Sequence, residues 1–266
     1  MRAFLLLSVL TGCTIQSSTS NHYLTAEKLW TEKNYTASVA EFDRVVKEAP
    51  NSSIGLQALW RASMTRTLFL NETEEALKGF ETFLERAANS DLAPQAQQEM
   101  GEIYFTKLSA YAKATPFYEK LIESHKFSPD DESKFMYRIA RGYFLTNQIK
   151  RSIAVLEELM LKHPKGPYFD RAEFDLANAW YALGDTDKQA YQKALKLFQD
   201  LSVRMENKNH ALYVESIFGQ ASTLEEIDQL DEVYRLLQKI EDDYPAPNVI
   251  KIRMISIEDR KKKKRK

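Results

Sequence analysis

The chain has one cysteine, four histidines, and only 8 glycines and 8 prolines in 266 residues. A single thiol excludes a disulfide framework and any zinc site built on cysteine pairs, since each needs at least two. His22, His125, His163 and His210 stand far apart, and none forms the H-E-x-x-H kind of pair that would hold a metal. Phosphate-cradling G-x-x-x-x-G-K-[ST] and G-x-G-x-x-G loops are missing, as is a G-x-S-x-G nucleophile elbow. No enzyme is expected, and no metal or cofactor. Few glycines and prolines leave few places where a helix must break, and the chain is otherwise rich in helix-forming residues. The expected fold class is therefore all-α. Hydrophobic residues at 44% and charged residues at 28% are ordinary for a packed protein, and 13 Tyr with 14 Phe can build a large core.

Nor is there an apolar run of the roughly 20 residues a bilayer core requires. The longest candidate is Ala3 to Leu10, behind a basic Met1-Arg2 and followed at once by Leu10-Thr11-Gly12-Cys13. That order of basic start, short apolar stretch and small residues reads as a processing segment. Its last four residues resemble the signal box of bacterial lipoproteins. The resemblance implies cleavage before Cys13 and lipid attachment to it, with multiple acyl chains giving stable anchoring. Thr14 stands where an Asp would imply retention at the inner membrane, so the resemblance implies the periplasmic face of the outer membrane of a Gram-negative cell. Residues 14–21 (TIQSSTSN) read as a polar tether.

Self-similarity dominates the rest. Met136, Ile139, Ala140, Tyr143, Ser152, Leu156, Leu159 and Pro164 fall at positions 4, 7, 8, 11, 20, 24, 27 and 32 of a unit beginning at Ser133. Residues three or four apart share a helix face, so these positions form two apolar stripes. Small residues at 8 and 20 let two helices approach, and the proline stops the second. The spacing resembles the 34-residue tetratricopeptide (TPR) unit. Related patterns run through Ala26, Leu29, Tyr35, Ser38, Phe42, Val45 and Pro50; through Trp60, Ala76, Phe80 and Phe83; and through Met100, Gly101, Tyr104, Ala114, Tyr118 and Leu121, with one residue inserted. Two more run through Leu176, Ala177, Trp180, Ala194, Phe198 and Leu201, and through Ala221, Leu224, Val233, Leu237, Ile240 and Pro245. Six divergent helix-turn-helix repeats imply a TPR α-solenoid whose units bury a continuous core through nearest-neighbour contacts.

The resulting plan is a lipoprotein signal peptide over residues 1–12, the lipidated Cys13 and tether over 13–21, and a solenoid over 22–247. A capping helix follows over 248–259, with Val249, Ile252, Ile255 and Met254 facing inward, and a basic tail over 260–266. The tail is Arg260, Lys261, Lys262, Lys263, Lys264, Arg265 and Lys266; without it and Arg2 the remainder carries about −9. Two readings of the tail stand side by side: contact with anionic lipid, or a solubilising segment that repels itself or folds back on the acidic body. A basic run often means nucleic acid, but the signal box argues against it, and none is expected. Glu74-Glu75 and Asp130-Asp131-Glu132 suit helix N-termini, whereas Glu241-Asp242-Asp243 near a helix end reads as a solvated face or a contact for a cation or basic partner.

In TPR families, helix-A positions 2, 5, 9, 12 and 13 line a concave groove. Carried over by resemblance, they select Arg61, Thr65 and Phe69, then Gln98, Glu102 and Phe105. Next come Lys134, Tyr137, Arg141 and Phe144, then Arg171, Phe174, Asn178 and Tyr181. Aromatic, Arg and amide residues suit an extended or helical peptide; for Phe105, Phe144 and Phe174, packing between units is the competing reading. The N-terminal stretch HYLTAEKLWTEKNYTASVAEFDRVVKEAPNS resembles the opening of the BamD family, the lipoprotein subunit of the outer-membrane β-barrel assembly machinery. This implies a lipid-anchored periplasmic scaffold binding envelope-complex subunits or unfolded peptide segments. The alternatives are a binding module for an anionic envelope polymer, or an accessory lipoprotein of motility, secretion or the Tol-Pal system.

Overall fold

The computed structural model describes residues 7–264, with side chains from residue 18 onward. Cys13, the whole of the expected signal peptide, Arg265 and Lys266 therefore lie outside the described side chains. Among the described residues the chain is helical throughout, with no strand. It forms two compact bodies, residues 1–121 and 122–266.

In the first body, α1 (Leu7–Thr31), α2 (Tyr35–Glu48), α3 (Ser53–Thr65), α4 (Thr73–Arg86), α5 (Ala93–Glu102) and α6 (Tyr111–Ser124) follow one another in helix-turn-helix order. Buried small residues set how closely paired helices approach. Ala26 of α1 is fully buried, and the Ser38 hydroxyl of α2 donates to its carbonyl at 2.8 Å. Phe42, Val45, Phe80, Phe83 and Met100 fill the space behind these contacts. Two of the first helices end in a π turn, Arg66–Leu70 after α3 and Ile103–Lys107 after α5. The second of these absorbs the one residue by which that repeat exceeds the 34-residue template, widening the helix locally without disturbing the stripe before it.

The polar stretch before His22 is not an unpacked tether at its C-terminal end. The helix α1 continues through it, Thr19 is buried, and its hydroxyl donates to Glu48 Oε2 at 3.0 Å. Small Ser and Thr residues are poor helix formers alone, but here a neighbouring helix supplies the partner.

The second body contains α7 (Pro129–Leu145), α8 (Ile149–Lys162), α9 (Phe169–Leu183), α10 (Lys188–Met205), α11 (His210–Glu226), α12 (Leu230–Lys239) and α13 (Pro247–Lys264). Starts are capped locally: Ser128 accepts from Asp131 N at 3.2 Å, and Asn209 accepts from Leu212 N at 3.1 Å. Asp130, Asp131 and Glu132 fill the first turn of α7, where negative charge meets the positive end of the helix dipole. The turns within repeats need a left-handed residue but do not use glycine. Lys33, Asn71, Ser109, Asn147 and Asp228 hold φ between 50° and 64° there, which explains how so few glycines suffice.

The capping helix is longer and rotated relative to expectation. It extends to Lys264 and so includes most of the basic tail. Ile250, Met254 and Ile257 face inward, whereas Val249, Ile252 and Ile255 are 49%, 69% and 62% exposed. A 250/254/257 stripe follows the 3.6-residue period, while steps of three drift off a helix face. The tail folds onto acidic residues: Arg260 meets Glu225 at 2.5 Å, Lys261 meets Asp231 at 2.5 Å, and Lys264 pairs with Asp228.

Candidate functional site

In the second body, α7 and α9 enclose a cavity of about 470 Å³ lined by Arg141, Phe144, Arg171, Phe174, Asp175, Asn178, Tyr181 and Ala182. Six of these are residues that the groove pattern selects for binding: Arg141, Phe144, Arg171, Phe174, Asn178 and Tyr181. The periodicity brings them together because Arg141 and Phe144 lie one turn apart on α7, as Phe174, Asn178 and Tyr181 do on α9. Tyr137 stands beside the cavity and reaches it through Asp175, donating its hydroxyl to Oδ2 at 2.7 Å. Its ring stacks on Tyr168 at 5.2 Å.

Asp175 organises this wall. Its side chain is 7% exposed, and Arg141 Nη1 approaches Oδ2 at 3.5 Å while Arg171 Nε stands 4.0 Å from Oδ1. Burial raises the Asp175 pKa above its ordinary value despite the opposing Tyr137 hydroxyl and the two guanidinium groups. Tyr137 is raised too, by burial and by the neighbouring Asp175 charge, so the phenol stays protonated and remains a donor. Arg171 also donates to Glu215 Oε2 at 2.6 Å, with its Cζ 4.8 Å over the Phe174 ring. Arg141 has five donors and directs only one at Asp175. Asn178 spends its amide on the Phe174 carbonyl at 3.0 Å, leaving the side-chain oxygen as an acceptor. The arrangement offers a guanidinium and an amide oxygen at the edge of an aromatic-walled hollow, which is chemistry for holding a peptide.

Sequence reasoning passes over Asp175, whose place in the repeat belongs to the buried side of the helix. The i,i+4 spacings Tyr137/Arg141 and Arg171/Asp175 are the signal that would have found it.

The first-body candidates scatter. Arg61 donates to both carboxylate oxygens of Glu27, at 2.8 and 2.9 Å, and lies 4.7 Å over Trp30. Together with Trp30, Trp60, Met64, Thr65, Leu68 and Phe69 it lines only about 140 Å³. Gln98 is half-buried and lines neither cavity. Phe105 is a correction: it is 8% exposed and packs edge-on against Tyr111 at 5.1 Å and Tyr118 at 6.5 Å. It lies inside the π turn, which shifts the register and turns the ring into the core. A wider hollow of about 680 Å³ lies on the opposite side of α9, where Lys193 Nζ sits 3.8 Å over Trp180. Among the described residues no group of three or more His, Cys, Asp or Glu is placed to hold a metal.

The tetratricopeptide-repeat family profile matches residues 135–166, which span α7 and α8. Solved structures extend the likeness along the chain. YrrB, described as a TPR protein with an unusual peptide-binding site, superposes with a TM-score of 0.55 at 17% identity, covering 79% of this chain and 95% of that one. A tetratricopeptide repeat protein from Parabacteroides merdae gives 0.55 at 13% identity over 91% and 99%. The type IV pilus biogenesis factor PilW gives 0.53 at 13% over 85% and 94%. The fold is a TPR α-solenoid. At these identities the likeness establishes the fold alone. No curated protein sequence matches the chain.

Proposed function

We propose that the chain is a lipid-anchored scaffold on the periplasmic face of the outer membrane, holding a segment of a partner polypeptide in the cavity between α7 and α9. The observation that carries the binding role is the convergence of Arg141, Phe144, Phe174, Asn178 and Tyr181 on one hollow. A TPR fold supports protein–protein interaction, and the YrrB structure is described as having a peptide-binding site. In this reading Phe144, Phe174 and Tyr181 take an apolar side chain, while Arg141 and the Asn178 oxygen engage main-chain carbonyl and amide groups. The anchor rests on the signal-box resemblance at Cys13, and the BamD-like role in barrel assembly on the N-terminal stretch. Tethering would act passively, by raising the local concentration of the cavity at the membrane.

The test is crosslinking in intact cells of the native host followed by recovery of co-purifying proteins from solubilised outer membrane. Tyr181→Ala and Phe144→Ala are expected to lower recovery of the main partner about tenfold, a hot-spot loss, while Gln98→Ala leaves it unchanged. Cys13→Ala is expected to release the chain from the membrane fraction. Barrel-assembly subunits among the partners would support the BamD-like role, and a different envelope complex would replace it. Undiminished recovery with both cavity variants would sink the peptide-binding role.

A further inference from the structure

At Tyr181 the rim of the cavity between α7 and α9 changes character. The Tyr181 hydroxyl donates to Glu226 Oε1 at 3.3 Å, and its ring meets that of Tyr191 at 5.6 Å with a tilt of 55°. Tyr191 in turn donates to Asp185 Oδ1 at 2.9 Å. Two tyrosines and two carboxylates therefore stand together where the C-terminal ends of α9 and α11 meet. Burial raises the Tyr181 pKa, and the Glu226 and Asp185 charges push it further against Arg253. Tyr191 is raised by burial and by the same two carboxylates, so each charge acts on both rings.

The neighbouring acids are matched by cations: Asp175 by Arg141 and Arg171, Glu215 by Arg171, Glu225 by Arg253 and Arg260, and Asp228 by Lys264. Among the described residues, neither Glu226 nor Asp185 forms an ion pair, and both are exposed. The cations close by are placed elsewhere. Lys188 Nζ lies 5.0 Å over the Tyr191 ring, and Arg253 donates to Glu225 at 2.9 Å and to Ser222 at 3.1 Å. Helix C-termini carry partial negative charge and favour cations, yet the last turns of α9 and α11 hold no basic residue, and Glu226 closes α11. Two unmatched acids at two negative helix ends work against the fold by themselves; a cation from outside offsets both.

We infer that this rim is a subsite for a basic side chain, so that the segment held in the cavity carries a lysine or arginine beside its apolar anchor. The inference rests on the peptide-holding reading of the cavity and names the chemistry of its partner. An ammonium or guanidinium seated here meets the Glu226 and Asp185 carboxylates and the Tyr181 ring, an ion pair and a cation–π contact from one group. Tyr181 belongs at once to the cavity wall and to this cluster, which makes the two sites continuous. Arg141 meets α9 at Asp175, six residues or about 9 Å along the helix from Tyr181. Guanidinium donors and unmatched carboxylates are thus separated along the path of the segment, and a partner with its basic residue at the Tyr181 end lies in one direction only.

The probe is a degenerate library of capped octapeptides passed over the immobilised full chain carrying Cys13→Ala, and the retained pool is sequenced. Lys and Arg are expected to be enriched over Asp and Glu by roughly fivefold relative to the input. Glu226→Gln with Asp185→Asn removes both charges and keeps an acceptor for each tyrosine; it is expected to return that ratio to the input while apolar residues stay enriched. Glu157→Gln, which removes an exposed carboxylate from α8, leaves the basic preference unchanged. Each replaced side chain is exposed, and unchanged circular dichroism and melting verify the fold. A pool that depends on Phe144 but shows no basic preference overturns the inference and leaves the peptide-holding role standing. So does a preference that outlasts the double variant, or one that Glu157→Gln and Glu226→Gln lower equally, which would assign it to the acidic body at large. A pool no larger than the one retained by Phe144→Ala overturns the peptide-holding role and the subsite with it.

Discussion

Asp175 concentrates the conflict between burial and charge. The carboxyl sits among aromatic rings with 7% exposure, yet it orients Tyr137 and both cavity arginines. Its raised pKa means that the folded chain holds the proton more tightly than the unfolded chain does. That contribution is complete below the ordinary carboxylate range and is lost as pH rises through the raised value. Asp175→Asn removes the titration and leaves an acceptor for Tyr137. Urea unfolding between pH 4 and 7 is therefore expected to show the stability of wild type relative to the variant falling as pH rises. The opposite slope would mean that the guanidinium groups outweigh burial. At this scale the sequence was only partly legible. Arg141 and Tyr181 could be read from repeat position, because exposed faces recur with the period. Asp175 shows in the sequence only as the i,i+4 partner of Arg171, because its bond to Tyr137 comes from helix α7 packed beside it.

Among elements, α10 and α11 approach closely because Gly219 faces Phe198. A Cβ on Gly219 would come within 2.5 Å of Phe198 Cε1 and 2.6 Å of Cζ. Gly219→Ala is expected to destabilise the protein by about 1–2 kcal/mol, overpacking exceeding the gain of roughly 1 kcal/mol in helix propensity; chemical denaturation measures it. Phe198 also meets Phe174 edge-on at 5.7 Å, so the displaced ring presses on the cavity wall. The stripes of α7 and α8 are legible because Met136, Ala140, Leu156 and Leu159 keep the helical period without interruption. In α5 the stripe ends at a π turn that takes up the one inserted residue within the helix, and of the two readings of Phe105, groove and packing, the shifted register leaves packing. In α13 apolar residues occur on both sides of the helix, so composition alone could not say which stripe was the inner one.

For the whole molecule, the repeat order was legible and the register of α13 was not. Repeats share one pattern, whereas α13 follows the last repeat without a template to fix its inner face. In the second body stability is passed from pair to pair, so damage at α13 should stay near it. Ile257 is fully buried against α11 and α12, and Ile257→Ala should cost about 2–5 kcal/mol locally. Hydrogen exchange is expected to quicken in α12 and α13 while α7 and α8 keep their protection. Uniform loss of protection across the second body would instead mean that it unfolds as one cooperative block.

The docking of the C-terminal lysines and arginine also bears on the lifetime of the chain. A loose run of basic residues invites trypsin-like cleavage, because a protease must draw its substrate into extended form. Arg260, Lys261 and Lys264 are instead wound into a helix and held by Glu225, Asp231 and Asp228. Held in this way, these peptide bonds are expected to resist digestion, and a chain that loses the α11–α12 turn with its acidic partners also loses that protection.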